Sequence, residues 1–320
     1  MARTAGTGSR ILRTLRTLVL GAARAKLGCK TLCRSSIRVT LLVCASQLWF
    51  ILPTLGVSQP AEAEHVSLEL VSEQDALVPS KKLWLGVQFS LQDGWHTYWV
   101  NPGDSGEPPR IEWHLPAGFK LGAIQWPLPE RLVNPPFADY GYEHEVLLMA
   151  ELSPPAGLTV GQKVNIDAGI HYLVCREVCI PGKKQLHVTL PVKDRANRTS
   201  ATPLFESVRQ KLPRPAPAEW RLTAVEGTDE LVLSLTTKDG ALTAQFFPLN
   251  SEQIENAAPQ KVTAKPGGIR LHLTKSKQLL KPTSRLEGVL VVGAGKAYQV
   301  NVPVSQSLGK THPRQPKSNS

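Results

Sequence analysis

The chain has 320 residues, 42% of them hydrophobic and 20% charged, with a formal net charge of +11. Nine of the 37 Lys/Arg but only one of the 26 Asp/Glu fall in 1–63, which leaves 28 bases against 25 acids, a net of +3. The basicity belongs to the first 63 residues, and the remainder lacks the one-signed charge of a nucleic-acid-binding surface.

The first predicted element, 1–63, is an export leader. Its basic stretch is followed by the uncharged run Val39–Val57, and Ala61-Glu62-Ala63 supplies small residues in an A-x-A arrangement. Those are the parts of a secretory signal, with cleavage expected after Ala63. The basic stretch is unusually long, which points to a start downstream of Met1. If retained, the uncharged run is just long enough to span a bilayer and would anchor the chain. Cys29, Cys33 and Cys44 lie in this leader, and Cys44 lacks the small residue expected before a lipidated cysteine.

From 64 to 195 the pattern is strands. Leu83, Leu85, Val87, Phe89 and Leu91 alternate with Trp84, Gly86, Gln88 and Ser90, which gives one buried face at a period of two. The same alternation recurs at Val66/Leu68/Leu70, Val164/Ile166/Ala168/Ile170 and Leu186/Val188/Leu190/Val192. Turns such as Asn101-Pro-Gly, Pro135-Pro136 and Pro154-Pro-Ala-Gly157 separate the runs, as in an antiparallel sandwich. Residues 196–218 read as a linker with one short helix. Thr202-Pro203 gives an N-cap and a first-turn proline, and Leu204, Val208 and Leu212 recur at helical spacing. Alternation resumes at Leu231/Leu233/Leu235, Ile269/Leu271/Leu273 and Tyr298/Val300/Val302/Val304, so 219–305 forms a second, smaller β domain. Residues 306–320 are polar and basic, and disorder is expected there.

Chemistry concentrates in His171-Tyr-Leu-Val-Cys175-Arg-Glu-Val-Cys179-Ile-Pro-Gly182, which holds the only cysteines beyond residue 44. Closing so small a ring removes only about 2 kcal/mol of unfolded-chain entropy, a weak reason to place a staple. Short rings also strain more readily, which makes the bond easier to reduce. A turn at Arg176-Glu177-Val178 sets the two cysteines opposite each other across a hairpin, within disulfide reach. The C-x-x-x-C spacing is not that of thioredoxin, and no helix N-terminus is evident to depress a thiol pKa. Arg176, Lys183, Lys184 and His171 are the nearby cations. Such a pair suits a passive exchange partner. Two other readings stay open: a structural disulfide, and a metal site using His171. Copper would favour further Met or His ligands, but Met149 is the one Met beyond the leader, and His96, His114 and His144 are scattered.

Tryptophans and tyrosines crowd the first domain and read as core, with one exception. Phe137-Ala-Asp-Tyr140-Gly-Tyr142 follows Pro135-Pro136 and reads as a loop tip, whose exposed tyrosines would need a partner surface. Gly293-Ala-Gly295-Lys296 reads as a hairpin turn rather than a phosphate loop, since no helix follows it.

Several of these segments occur in a familiar order. Asp93-Gly-Trp-His-Thr-Tyr98-Trp, Asn101-Pro-Gly-Asp-Ser-Gly106, Trp126-Pro, Asp139-Tyr-Gly141, Tyr172-Leu-Val-Cys175…Cys179-Ile-Pro-Gly182 and Leu190-Pro-Val192 resemble the N-terminal periplasmic domain of the DsbD thiol:disulfide interchange family. Phe246-Phe-Pro-Leu-Asn250 and Asn256-Ala-Ala-Pro259 are similar to the second β domain of its longer, ScsB-like forms. The resemblance covers about 65–305. It implies an all-β chain: an immunoglobulin-like antiparallel sandwich followed by a second, smaller β-sandwich domain. It further implies that Cys175 and Cys179 are the exchanging pair, with Cys179 attacking and Cys175 resolving. Asp139, Tyr140 and Gly141 match the loop that caps the pair, and His96 and Tyr98 fall among aromatics near it. The implied partners are a membrane-embedded electron donor and thioredoxin-like periplasmic proteins, with no nucleic acid and no cofactor beyond the redox-active disulfide. Membrane association would come through the leader. Two departures stand out. The cysteines lie closer together than in the best-known members, and the chain has neither the multi-span membrane region nor the terminal thioredoxin-like domain. The expected function is a periplasmic thiol:disulfide exchange protein. The alternatives are a non-catalytic two-domain interaction module with a structural disulfide and a copper-handling protein.

Overall fold

The structure, a computed structural model, describes residues 65–238, 243–279 and 281–306. The expectations for the leader and almost all of the tail lie outside the described residues. Among the described residues no helix is long and apolar enough to cross a membrane.

The first region contains ten strands: β1 Val66–Ser72, β2 Leu83–Leu91, β3 His96–Gly103, β4 Arg110–His114, β5 Lys120–Leu121, β6 Glu130–Asn134, β7 Phe137–Glu143, β8 Glu145–Ser153, β9 Lys163–Cys175 and β10 Cys179–Pro191. They form two antiparallel sheets. One has the order β1-β2-β8-β5 and the other β10-β9-β3-β7-β6, with β4 also paired to β9. The alternating residues dictate this packing. Leu68, Leu70, Val87, Phe89, Val146 and Leu148 from the first sheet meet Trp99, Tyr142, Ala168, Ile170, Tyr172 and Val174 from the second in one buried cluster. The expected all-β, immunoglobulin-like sandwich is what the chain builds.

Helix α1, Thr202–Lys211, has proline in its first turn as expected, but its N-cap is Ala201. The Thr202 hydroxyl instead donates to the Glu73 carbonyl at 2.9 Å. Phe205 and Val208 are buried beside Leu147 and Met149. The helix thus covers the outer face of the first sheet, and the segment read as a linker is packed. Arg209 adds a two-pronged pair to Glu73 at 2.7 and 2.6 Å.

The second region adds β11 Arg214–Pro215, β12 Arg221–Glu226, β13 Glu230–Thr236, β14 Ala244–Pro248, β15 Lys261–Lys265, β16 Gly268–Thr274, β17 Arg285–Val292 and β18 Lys296–Gln306. These strands belong to one continuous sheet of order β14-β17-β18-β12-β13-β16-β15, with β11 alongside β18. The long β18 serves both halves, pairing β17 antiparallel and then β12 in parallel, so one sheet encloses the Leu231, Leu233, Leu271, Leu286 and Leu290 core. Gly293 and Gly295, both at positive φ, form the β17–β18 turn, as expected.

The two regions share apolar surface. Phe247 from β14 and Val289 from β17 are buried in the first core, and Phe247 meets the rings of Trp99 and Tyr140 edge-on. All described residues fall within one compact unit.

Candidate functional site

Strands β9 and β10 pair along their whole length, and the register sets Cys179 opposite Cys175 with Cα atoms 4.1 Å apart. That is the close spacing of a non-hydrogen-bonded antiparallel pair, where side chains approach nearest. The two sulfurs form a disulfide, closed by the three-residue turn Arg176-Glu177-Val178.

Strand parity shows how unusual the setting of Cys175 is. Along β9, Val164, Ile166, Ala168, Ile170, Tyr172 and Val174 point into the core, while Lys163, Asn165 and Asp167 are exposed. Cys175 has the parity of the exposed set, yet it is only 2% exposed. Something on the solvent side of the sheet covers it. Cys179, across the hairpin, is exposed.

The cover is Tyr98. His96 pairs with Cys175 across β3 and β9, so His96, Tyr98 and Cys175 share one sheet face. The Tyr98 hydroxyl donates to Cys175 Sγ at 2.8 Å and lies 3.7 Å from Cys179 Sγ. Tyr98 itself is fully buried because a second layer lies over it. Gly106, at positive φ, presses its backbone on the phenol ring, and any Cβ there would overlap the ring. Asp139 holds this layer down by accepting from the Ser105 amide and hydroxyl at 2.8 and 2.7 Å. Burial raises the Tyr98 pKa above its ordinary value, and Asp139 adds to the shift while the Ser105 side chain opposes it. At neutral pH the phenol is therefore a stable proton donor. Burial lowers the pKa of His96 despite the opposite pull of Asp139 and Glu143. Its ring packs edge-on to Tyr98 with centroids 5.2 Å apart, and its buried Nε2 has no hydrogen-bond partner. His96 is thus uncharged at neutral pH and gives a thiolate no ionic support.

The structure brings together Cys175, Cys179, His96, Tyr98 and Asp139, but it corrects the reading of Tyr140. The Asp139-Tyr140-Gly141 run is not a loop tip; it lies in the middle of β7, between β3 and β6. Tyr98 pairs with Gly141, so Tyr140 points to the opposite face from the disulfide. It is fully buried against Trp99 and Phe247, and its hydroxyl donates to Asn256 Oδ1 at 3.1 Å. Tyr142 is buried too, with its hydroxyl on the Pro127 carbonyl. The exposed aromatic of that run is Phe137, 53% exposed at the β6–β7 turn. Ser105 and Gly106 were missed as site residues. The signal lay in Asn101-Pro-Gly-Asp-Ser-Gly106: Gly103 lets two backbones approach, and Gly106 leaves room for the Tyr98 ring.

A groove of about 800 Å³ runs beside the hairpin, lined in part by Glu107, Arg110, His171, Leu173, Pro181 and Lys183. Among the described residues, no three His, Cys, Asp or Glu side chains converge as a metal site.

Residues 67–191 match the family described as "Thiol:disulfide interchange protein DsbD, N-terminal". The N-terminal periplasmic domain of ScsB from Proteus mirabilis covers 76% of this chain with 95% of its own, at 18% identity and a TM-score of 0.56; this likeness is one of fold, and it extends through both β regions. A protein of unknown function from Porphyromonas gingivalis W83 covers 75% of this chain with 99% of its own, at 11% identity and a TM-score of 0.23. No curated protein matches the chain. Residues 67–191, with their Cys175–Cys179 disulfide, belong to the DsbD N-terminal family of thiol:disulfide interchange domains.

Proposed function

We propose that this chain is a periplasmic thiol:disulfide exchange protein that relays electrons through Cys175 and Cys179. The observation that carries the reading is the asymmetry of the pair: an exposed Cys179 bonded to a Cys175 buried under a phenol hydroxyl. A thiolate of a reduced thioredoxin-like protein attacks Cys179 Sγ, the Cys175–Cys179 bond breaks, and Cys175 leaves as a thiolate. The Tyr98 hydroxyl is placed to donate to that thiolate, and a hydrogen bond to the charged form lowers its pKa. The donor's second thiol then releases Cys179 and leaves the donor oxidised. In the forward half, Cys179 attacks a substrate disulfide and Cys175 resolves the mixed disulfide, so two electrons and two protons pass on. The periplasmic setting is supported by the leader-like pattern of residues 1–63 and by the periplasmic ScsB domain that shares the fold. A membrane-embedded protein would supply the electrons upstream.

The test is stoichiometric transfer. Oxidised protein mixed with a reduced thioredoxin-like protein is expected to gain two thiols for each donor dithiol oxidised, followed by alkylation and mass spectrometry. Absence of transfer under conditions where a small dithiol does reduce the pair would refute the relay.

Tyr98→Phe isolates the role of the hydroxyl. With Cys29, Cys33, Cys44 and Cys179 replaced by serine, Cys175 is the only thiol in the chain. Loss of the hydroxyl is expected to raise its pKa by about one unit, the worth of one hydrogen bond to a charged group. Ultraviolet thiolate absorbance against pH reads the shift, and an unchanged pKa would remove Tyr98 from the chemistry.

A further inference from the structure

We propose that Asn256, in the second β region, is a positioning residue for the redox site, acting through Asp104–Gly106 on Tyr98. The inference deepens the exchange reading and rests on it. Asn256 is only 3% exposed although polar, and its side-chain amide and its carbonyl oxygen are engaged by the first region. Its Nδ2 donates to Asp104 Oδ1 at 2.8 Å, its Oδ1 accepts from Tyr140, and its carbonyl accepts from Arg131 Nε and Nη2 at 3.0 and 2.6 Å. A buried polar group satisfied this fully fixes its neighbours, because losing one partner strands the others.

The path to the sulfurs is short. Asp104 uses its other carboxylate oxygen to accept from the Ala138 amide at 2.8 Å, which seats the end of β3 against β7. Ser105 follows, held by Asp139, and then Gly106, whose backbone presses on the ring that donates to Cys175. Asn101 makes a second tie, donating from Nδ2 to the Pro248 carbonyl at 2.7 Å while its Oδ1 accepts from the Gly103 amide. The segment Asn101–Gly106 therefore grips the second region with Asn101 and Asp104 and covers the redox tyrosine with Gly106. On this account the second region sets the Tyr98 hydroxyl against Cys175.

The experiment is a double-mutant cycle read by the Cys175 pKa, in the full chain with Cys29, Cys33, Cys44 and Cys179 replaced by serine. Asn256→Ala is expected to increase the Cys175 pKa as Tyr98→Phe does, by up to about tenfold in acid dissociation. In the Tyr98→Phe background it is expected to add nothing, because both changes remove the same contact. Asn256→Asp covers the case in which the alanine variant fails to fold. It is near-isosteric and still accepts from Tyr140, but in place of the donor it sets an acceptor that repels the Asp104 carboxylate. Its effect must also vanish without the Tyr98 hydroxyl, whereas a through-space effect of its new charge would persist. Leu233→Ala damages the second core without touching Asp104 and is expected to leave the pKa at the parent value. Folded Asn256 variants with an unshifted pKa, effects that add to that of Tyr98→Phe, or an equal shift in Leu233→Ala would each overturn the assignment. None of these results depends on electron transfer to a partner, so the inference and the exchange reading fail separately.

Discussion

Serine at position 175 is expected to yield a protein that captures disulfide partners through Cys179 and cannot release them, whereas serine at 179 yields one that captures nothing. The reason is access. Cys179 is exposed, and Cys175 lies 2% exposed beneath Tyr98, so a partner sulfur reaches only the former in line. Exchange through Cys179→Ser should fall roughly a thousandfold or more, since no other nucleophile replaces the lost thiolate. Cys175→Ser retains the attacking thiol and loses the resolving one, so the mixed disulfide persists. Non-reducing electrophoresis and mass spectrometry, with Cys29, Cys33 and Cys44 replaced by serine, separate the two outcomes. Equal trapping by both variants, or trapping by Cys175 alone, would contradict the assigned roles.

The second large effect is structural. Gly141→Ala is expected to lower stability by about 3 kcal/mol or more, within the upper range for a buried clash. A Cβ at Gly141 would overlap the Thr97 carbonyl oxygen and stand 3.4 Å from Leu132 Cδ1. The oxygen is backbone, and β7 is paired on both sides here, with Tyr98 and with Glu130, so neither partner can retreat without breaking the sheet under the redox pair. Gly157→Ala is the control, because its Cβ would meet nothing within 4 Å. Denaturant midpoints read the difference. A Gly141→Ala variant as stable as the Gly157→Ala variant would show that β3 and β7 do not approach as closely as described.

Gly141 also shows where sequence reading failed. It lies in the run Phe137–Tyr142 that reads as a loop tip after Pro135-Pro136, but only residues 134–137 turn. The glycine is there because two strands press together, and a one-dimensional pattern cannot tell that need from a turn. Where burial alternates simply, the sequence was legible: Leu83–Leu91 is β2 with its odd residues inside, and the Cys175–Cys179 pairing across a three-residue turn is as expected. The helix start was legible from Pro203, but its inner face was not. Leu204, Phe205, Val208 and Leu212 form a broad apolar stripe, and Phe205 rather than Leu204 is fully buried because Leu147 and Met149 lie on that side. The cover over Cys175 was hidden for a related reason. The resemblance puts Tyr98 near the pair, but only its parity with Cys175, a fact of strand register, marks it rather than Tyr140 as the cover and donor. Asn256 gave no polar signal of its own, since its partners Asp104, Tyr140 and Arg131 are more than a hundred residues away.

The central claim is that Cys175–Cys179 is a working redox pair, and its reduction potential tests this most directly. Equilibration of the folded protein with glutathione or dithiothreitol buffers is expected to give a value above about −300 mV, within the span of exchange proteins, with the fold retained in the reduced form. A much lower potential, or unfolding on reduction, would make the bond a staple and contradict the account.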